Sequence, residues 1–412
     1  MAEVNPILEQ MKGVTKPQRK FLVALFATIL TVRGKVNFLN LSRSSDYSEK
    51  SFRRQFRCRF DFAQFNLCAV SKLKPSVQPF LVGQDASFIP KSGKRTYGLE
   101  YFFNGCASRA ERGLEVSLVS LIDLERHLAF AVSARQTPDS AHLAESLGVD
   151  PNSEQAAELT RIDFYLAHLK EAKPLLPAGI GYGVFDGAYA RVKFVDGVRA
   201  LGLHLISKLR SDANLRYLYR GERKKGRGRP RLYDGKVAFN DLSRFESVGE
   251  VEAGLHLYTA LVYHVSLKRR IRVVVLVDRS TTRRERYAVL CSTDCGQDAK
   301  EIYEFYKARF QLEFLFRDAK QFTGLSDCQA RDAQALDFHF NASLTTVNLA
   351  KIEALQNNQA DEQIVFSLAS IKQRAFNQHF LEMIIEKLAL EQSVIKNHPD
   401  YDYIRNYGAI AA

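Results

Sequence analysis

Between residues 78 and 210 the chain is cut into short apolar runs of strand length: PFLVGQD, EVSLVSLID, HLAFAVSA, GIGYGVFD and LHLISKL. Turn residues or helical stretches separate them. That alternation predicts a mixed α/β sheet flanked by helices. EVSLVSLID and HLAFAVSA are joined by only a few charged residues and read as a hairpin, whereas SEQAAELTRIDFYLAHLKEA reads as a helix crossing back towards GIGYGVFD. Asp85 and Asp186 each close an apolar run, which puts both near the ends of neighbouring central strands, where open α/β sheets place their sites.

The flanks have a different period. Residues 1–75 read as helices: KPQRKFLVALFATILTV is too continuously apolar for a surface helix, and SEKSFRRQFRCRF is basic on one side. The pair resembles a helix-turn-helix, with Ser48 as N-cap, Phe52 and Phe56 as anchors, and Arg53, Arg54 and Arg57 able to reach phosphates or base edges. The bland alternative is a solvated basic face. Residues 76–210 are then the first part of an α/β core, 211–295 a β-rich insertion containing LHLYTALVYHV, RIRVVVLV and RYAVLC, 296–355 the second part of the core, and 356–412 a helical tail.

The insertion also concentrates charge. Ser207 to Lys236 holds eleven Lys and Arg against three acids, more than half of the chain's formal net charge of +13. Within it KKGRGRPR is broken by Gly and Pro, so it predicts a loop carrying Lys224, Lys225, Arg227, Arg229 and Arg231. Its Arg227-Gly228-Arg229-Pro230 core is similar to an AT-hook, in which two arginines follow a narrow minor groove. Excess positive charge on this scale points to a polyanionic partner: nucleic acid first, an anionic membrane second.

The chemistry-bearing motif is Tyr306, Arg309, Glu313 and Lys320, spaced Y-x2-R-x3-E-x6-K in FYKARFQLEFLFRDAKQ. On one continuous helix, at about 100° per residue, the four share a narrow face. Phe305, Ala308, Leu312, Leu315, Phe316 and Ala319 form an arc to be buried, and Lys307, Gln311 and Asp318 point to solvent. The competing reading is a salt-bridge stripe in which Glu313 pairs with Arg309 or Arg317. If Asp85, Asp186 and Glu313 meet, three carboxylates can hold two divalent ions about 3.5–4 Å apart, one activating water or a 3′-hydroxyl and one stabilising the leaving oxygen. Hard oxygen ligands favour magnesium, with manganese as a substitute. Arg309 and Lys320 could hold the flanking phosphates and Tyr306 could hydrogen-bond one near the cut.

Other classes find less support. There is no G-x-S-x-G elbow and no G-x4-G-K-[ST] phosphate loop, and Gly181-Tyr182-Gly183 lies inside a strand-like run. The nine histidines are scattered, and Cys291 and Cys295 lack the partners of a zinc site. Six cysteines without dense pairing fit a reducing cytoplasm, and the longest uncharged run, Phe21 to Val32, is too short to span a membrane.

VGQDAS around Asp85, VFDGAY around Asp186 and the complete Tyr306, Arg309, Glu313, Lys320 set, with a β insertion before the glutamate, give the chain a broad resemblance to bacterial insertion-sequence transposases of the DDE type, in the Y-R-E-K branch. The resemblance implies an RNase H-like core binding two magnesium ions through Asp85, Asp186 and Glu313, and an N-terminal region that binds DNA ends. It further implies a homodimer that synapses the terminal inverted repeats, nucleoid association, and cleavage followed by strand transfer into target DNA. Relatives can use a Trp to stabilise a flipped base. This chain has none, so a Tyr or Phe would have to serve. A DNA-binding regulator derived from a transposase and a two-metal nuclease without strand transfer are the alternatives.

Overall fold

A computed structural model describes residues 4–73, 80–222, 230–280, 286–357 and 366–410. Five helices come first: α1 (Val4–Gln10), α2 (Lys16–Thr31), α3 (Phe38–Arg43), α4 (Glu49–Gln55) and α5 (Phe62–Val70). Thr15, Asn37, Ser48 and Asp61 cap α2 to α5, each side chain accepting the backbone N–H three residues on. These helices do not close a core of their own. Phe26, Phe65 and Ala69 belong to one hydrophobic cluster with Leu118, Phe130 and Leu344.

The sheet begins with β1 (Leu81–Pro90), β2 (Glu100–Asn104), β3 (Arg109–Asp123) and β4 (Leu128–Gln136). After α6 (Leu143–Ser146), α7 (Glu154–Ala157) and α8 (Arg161–Ala172) come β5 (Tyr182–Phe185), α9 (Val192–Ala200) and β6 (His204–Leu209). The next strands are β7 (Leu215–Leu218), β8 (Tyr233–Lys236), β9 (Glu246–Glu252), β10 (Leu255–His264), β11 (Arg269–Asp278) and β12 (Arg286–Ser292). The chain finishes with α10 (Ala299–Ala308), α11 (Phe310–Phe322), α12 (Ala333–Asn357), α13 (Leu368–Lys387), α14 (Gln392–Lys396) and α15 (Tyr401–Asn406).

Among the described residues the strands form one mixed sheet in the order β2-β3-β1-β5-β6-β12-β11-β10-β7-β8, with β4 on β3 and β9 on β10. The β3–β4 hairpin expected from sequence is present. At the centre β1, β5 and β6 run parallel, with Gln84 opposite Phe185 and Phe185 opposite Ser207. Parallel neighbours need crossovers, and α8 and α9 supply them, packing Leu169, Phe194 and Val198 against Val82, Phe185 and Leu205. The opposite face packs against α10 to α12, through residues such as Ile302, Leu312 and Val347. The strands expected as a separate insertion continue this sheet: β12 lies antiparallel on β6, with Cys291 opposite Ser207, and brings its own apolar cluster around Phe245, Val262 and Ile271. Mixed α/β layering of this kind is consistent with an RNase H-like DDE fold.

Two helices expected to be continuous are not. The crossover splits into α7 and α8 because Thr160 starts a new helix, its backbone N–H and hydroxyl both donating to Asp163 in a capping box. The helix carrying the Y-R-E-K spacing breaks at Arg309, where Arg309 N–H donates to Tyr306 C=O at 3.1 Å and Leu312 N–H to Arg309 C=O at 2.9 Å. Bonds of this i to i+3 spacing are those of a 3₁₀ turn.

β4 has a free edge, and α12 covers it with polar side chains. Asn348 Oδ1 accepts from Ala131 N–H at 2.9 Å and its Nδ2 donates to Ala131 C=O at 2.8 Å. Asn341 does the same at Ala134, Asp337 accepts from Gln136 N–H, and Lys351 donates to Ala129 C=O. Positions 337, 341, 348 and 351 fall on one helical face, so a single helix satisfies a strand's backbone as a further strand would. No helix among the described residues is long and apolar enough to cross a membrane.

Candidate active site

Asp85 lies in the middle of β1, opposite Leu118 of β3, and not near the end of the strand as its apolar run suggests, because the pairing with β3 continues through Pro90. Asp186 follows the last residue of β5, and the parallel register that sets Gln84 opposite Phe185 brings the two acids to adjacent strands at the same level. Ser207 Oγ on β6 donates to Asp186 C=O at 3.1 Å and fixes the end of β5. The chain then turns into a short 3₁₀ segment, Gly187–Tyr189. A Cβ at Gly187 would stand 2.8 Å from Lys208 C=O, so only glycine allows this approach of β5 to β6.

α11 crosses over β1 at equally close range. A Cβ on Gly83 would meet Leu312 Cδ1 at 2.7 Å, Ile122 Cδ1 at 2.9 Å and Ser120 Oγ at 2.9 Å. That contact seats Glu313, the residue after Leu312, above the strand. Arg309 completes the site: its Nη1 donates to Asp85 Oδ2 at 3.3 Å and its Nη2 to Glu313 Oε1 at 2.7 Å. Arg317 pairs instead with Asp318 at 3.1 Å, so the alternative Glu313–Arg317 pairing is not formed. Asp318, expected to face solvent, is buried, and Lys351 of α12 feels its charge.

Electrostatics tie the group together. Burial raises the Asp85 carboxyl to about 6, Arg309 and the Ala86 N–H pull it down, and the charges of Asp186 and Glu313 push it up. Burial likewise pushes the Tyr306 phenol up to about 12, with Arg309 opposing and Asp186 and Asp85 adding to the rise. Arg309 stands 5.5 Å from the Tyr306 ring centre, as the 3₁₀ turn dictates, because residues three apart eclipse there. Asp85, Asp186, Tyr306, Arg309 and Glu313 are therefore neighbours within reach of one another's charge. Lys320 lies farther along α11, half-buried, and the group facing it is Cys106 in the β2–β3 turn.

Sequence reasoning missed three members of this neighbourhood. Tyr189 is buried within reach of the Asp85 and Asp186 charges, which together with burial hold its phenol well above the usual range. Its hydroxyl, like Arg309 Nε, has no hydrogen-bond partner among the described residues. The only signal was its place in VFDGAY. Phe310 and Phe314 flank Glu313 on α11, 47% and 43% exposed, with Arg309 and Arg317 against their rings. Exposed aromatics on an amphipathic helix carry no distinctive spacing.

Carboxylate oxygens and surplus negative charge suit a hard divalent cation, and two buried polar atoms beside them lack protein partners. Among the described residues no three such side chains already stand in ligating geometry, since Arg309 bridges Asp85 and Glu313. The residues fit the group by chemistry.

Of the basic residues read as DNA contacts, Arg53 pairs with Glu49 at 2.6 Å and stacks on Phe38, Arg54 is exposed, and Arg57 pairs with Asp332 at 3.3 Å. Phe52 and Phe56 are fully buried anchors beneath them. Lys224, Lys225, Arg227 and Arg229 lie outside the described residues. Arg231 is exposed, pairs with Asp234 at 2.5 Å and lies against Tyr219.

The family model described as "DDE superfamily endonuclease" matches residues 11–261, more than half of the chain and a span that includes both aspartates. The chain belongs to this family. Membership implies a phosphodiester-cleaving enzyme with DNA as its substrate, in a superfamily whose enzymes use divalent metal ions. No curated protein matches the chain.

Proposed function

We propose that the chain is a transposase of the Y-R-E-K branch, of bacterial insertion-sequence origin, which binds the element's terminal repeats and carries out metal-dependent strand cleavage and strand transfer. The observation that carries this reading is the convergence of Asp85, Asp186 and Glu313, from three distant segments, around one arginine. Asp85, Asp186 and Glu313 are the residues to hold two magnesium ions, with manganese able to substitute. When bound, such ions lower the pKa of water or a 3′-hydroxyl and stabilise the leaving oxygen.

The chain's own groups do the rest. Burial of Arg309 and of most of Asp85 strengthens their mutual attraction, while Glu313 stays open to solvent and to an incoming strand. Arg309, which here donates to Asp85 and Glu313, would hold the phosphate flanking the cut, and Tyr306 would donate its hydroxyl, which stays protonated at neutral pH. Lys320, one and a half to two turns from Glu313, suits a phosphate farther along the strand. Phe310 and Phe314 offer faces on which an unstacked base could rest in a chain without Trp. Exposed Leu388, Val394, Tyr403 and Tyr407 on the helical tail suit the surface of a homodimer.

The test is a strand-transfer assay. Precut duplex ends from the DNA flanking the gene, incubated with the protein, magnesium and a supercoiled plasmid, are expected to join the plasmid at staggered positions. Cutting without joining would replace this reading with that of a nuclease, and binding without cutting with that of a regulator.

A further inference from the structure

A solvent-open cleft of about 1260 Å³ lies away from the carboxylates, between α4, the loop that follows β1 and the loop that precedes α12. Cations come from all three walls: Lys50 and Arg54 from α4, Lys94 and Arg95 from the loop after β1, and Arg331 from the loop before α12. None of these five makes an ion pair among the described residues. The two acids in the lining have local work: Asp327 accepts from Val36 N–H at 2.8 Å, and Asp332 caps α12 through Ala335 N–H while pairing with Arg57.

The walls are held in place by backbone contacts. Lys91 donates to the Cys328 and Ala330 carbonyls, and Tyr97 N–H donates to Arg331 C=O at 2.9 Å, so the two loops form a single clamped unit. Such a cleft loses little conformational freedom on binding.

We infer that this cleft is a track for the phosphate backbone of the DNA duplex, engaged outside the catalytic pocket. The inference rests on the transposase reading only for its position relative to the cut. Pro90 ends β1 five residues beyond Asp85, roughly 17 Å along an extended strand. Discrete, unneutralised cations on rigid walls suit a regularly spaced polyanion, and among the described residues the lining exposes no large apolar side chain of the kind by which a membrane-surface site inserts.

The experiment measures binding of the full-length protein to a 30-base-pair duplex in EDTA across a potassium chloride titration. Replacing Lys94, Arg95 and Arg331 together by alanine is expected to reduce the slope of log K against log salt by about 2.7, three phosphates at 0.9 each. The charge-preserving set Lys94→Arg, Arg95→Lys and Arg331→Lys is expected to restore it. An unchanged slope in an alanine variant that melts like the wild type overturns the inference, as does preferential binding to anionic vesicles that the same variant loses. A DNA-cleaving iron chelate on Lys94→Cys tests position: scission within about one helical turn of the cut supports it, and scission farther away overturns it. The salt slope is read without catalysis, so failure of the transposase reading leaves this test intact.

Discussion

One guanidinium joins two carboxylates that lie more than two hundred residues apart: Arg309 donates to Asp85 on β1 at 3.3 Å and to Glu313 on α11 at 2.7 Å. Strand and helix are thereby registered at the point where Asp186 also arrives. The arginine is 7% exposed, and a buried cation of this kind persists only because its charge is matched.

Arg309 lowers the Asp85 carboxyl against the effect of burial. In Arg309→Ala that opposition is gone, so in the metal-free protein the Asp85 midpoint rises above 6. Cleavage in magnesium at pH 7 should fall on the order of 100-fold, since an electrostatic contact at the reacting phosphate disappears. A carboxyl titration of the metal-free variant with an unmoved midpoint would show that Arg309 and Asp85 are not coupled.

Asp85 also links stability to pH. Its folded value of about 6 lies above the ordinary carboxylate value, so the protonated form favours folding. The stability this group contributes is complete below about pH 4 and is lost as pH rises through about 6, at a cost of about 3 kcal/mol when fully ionised. Asp85→Asn should therefore match wild type at pH 4 and exceed it by about 1–2 kcal/mol at pH 8, part of the gain being lost with the Arg309 contact. Urea unfolding at the two pH values measures this, and a variant less stable at pH 8 contradicts it.

Gly83→Ala tests the seating of α11. The new methyl meets Leu312, Ile122 and Ser120 within 3 Å, which should cost about 1–3 kcal/mol and lift Glu313 from the strand. Cleavage is expected to fall at least tenfold with DNA binding retained. Wild-type cleavage in a destabilised protein would mean that Leu312 had moved aside and α11 had not.

Asn348→Leu removes both bonds to Ala131 and the one to Asn66, leaving buried backbone groups unpaired. A loss of about 2–4 kcal/mol is expected from urea titration. A loss under 1 kcal/mol would mean that β4 does not depend on α12 for its outer edge.

The strands and Asp186 were legible because a period of two shows in short windows and an acid ending an apolar run is conspicuous, whereas β1 continues five residues past Asp85 because its partner β3 extends that far. The break at Arg309 was not, since a helical wheel assumes one uniform helix and a single tight turn leaves no compositional mark. Asp318 falls on the solvent arc of a wheel laid over one continuous helix, whereas in the fold α12 covers it and places Lys351 near its charge. The α12 face that pairs with β4 was hidden for a related reason: Asn341 and Asn348 look like ordinary polar positions until a strand edge is placed beside them. Strand order is also absent from spacing, so the return of β12 to β6 emerged only in three dimensions.

The central claim is that Asp85, Asp186 and Glu313 act as one divalent-metal site that cuts DNA. The most direct measurement is single-turnover cleavage of duplex carrying the element's ends, with wild type and Asp85→Asn, Asp186→Asn and Glu313→Gln, in magnesium and in EDTA. Wild type should cut only with magnesium, and each amide variant should bind the duplex yet cut at least a thousandfold more slowly, a fall on the order of 4 kcal/mol in transition-state stabilisation. Wild-type cutting by any one of the three, or cutting that survives EDTA, would contradict the claim.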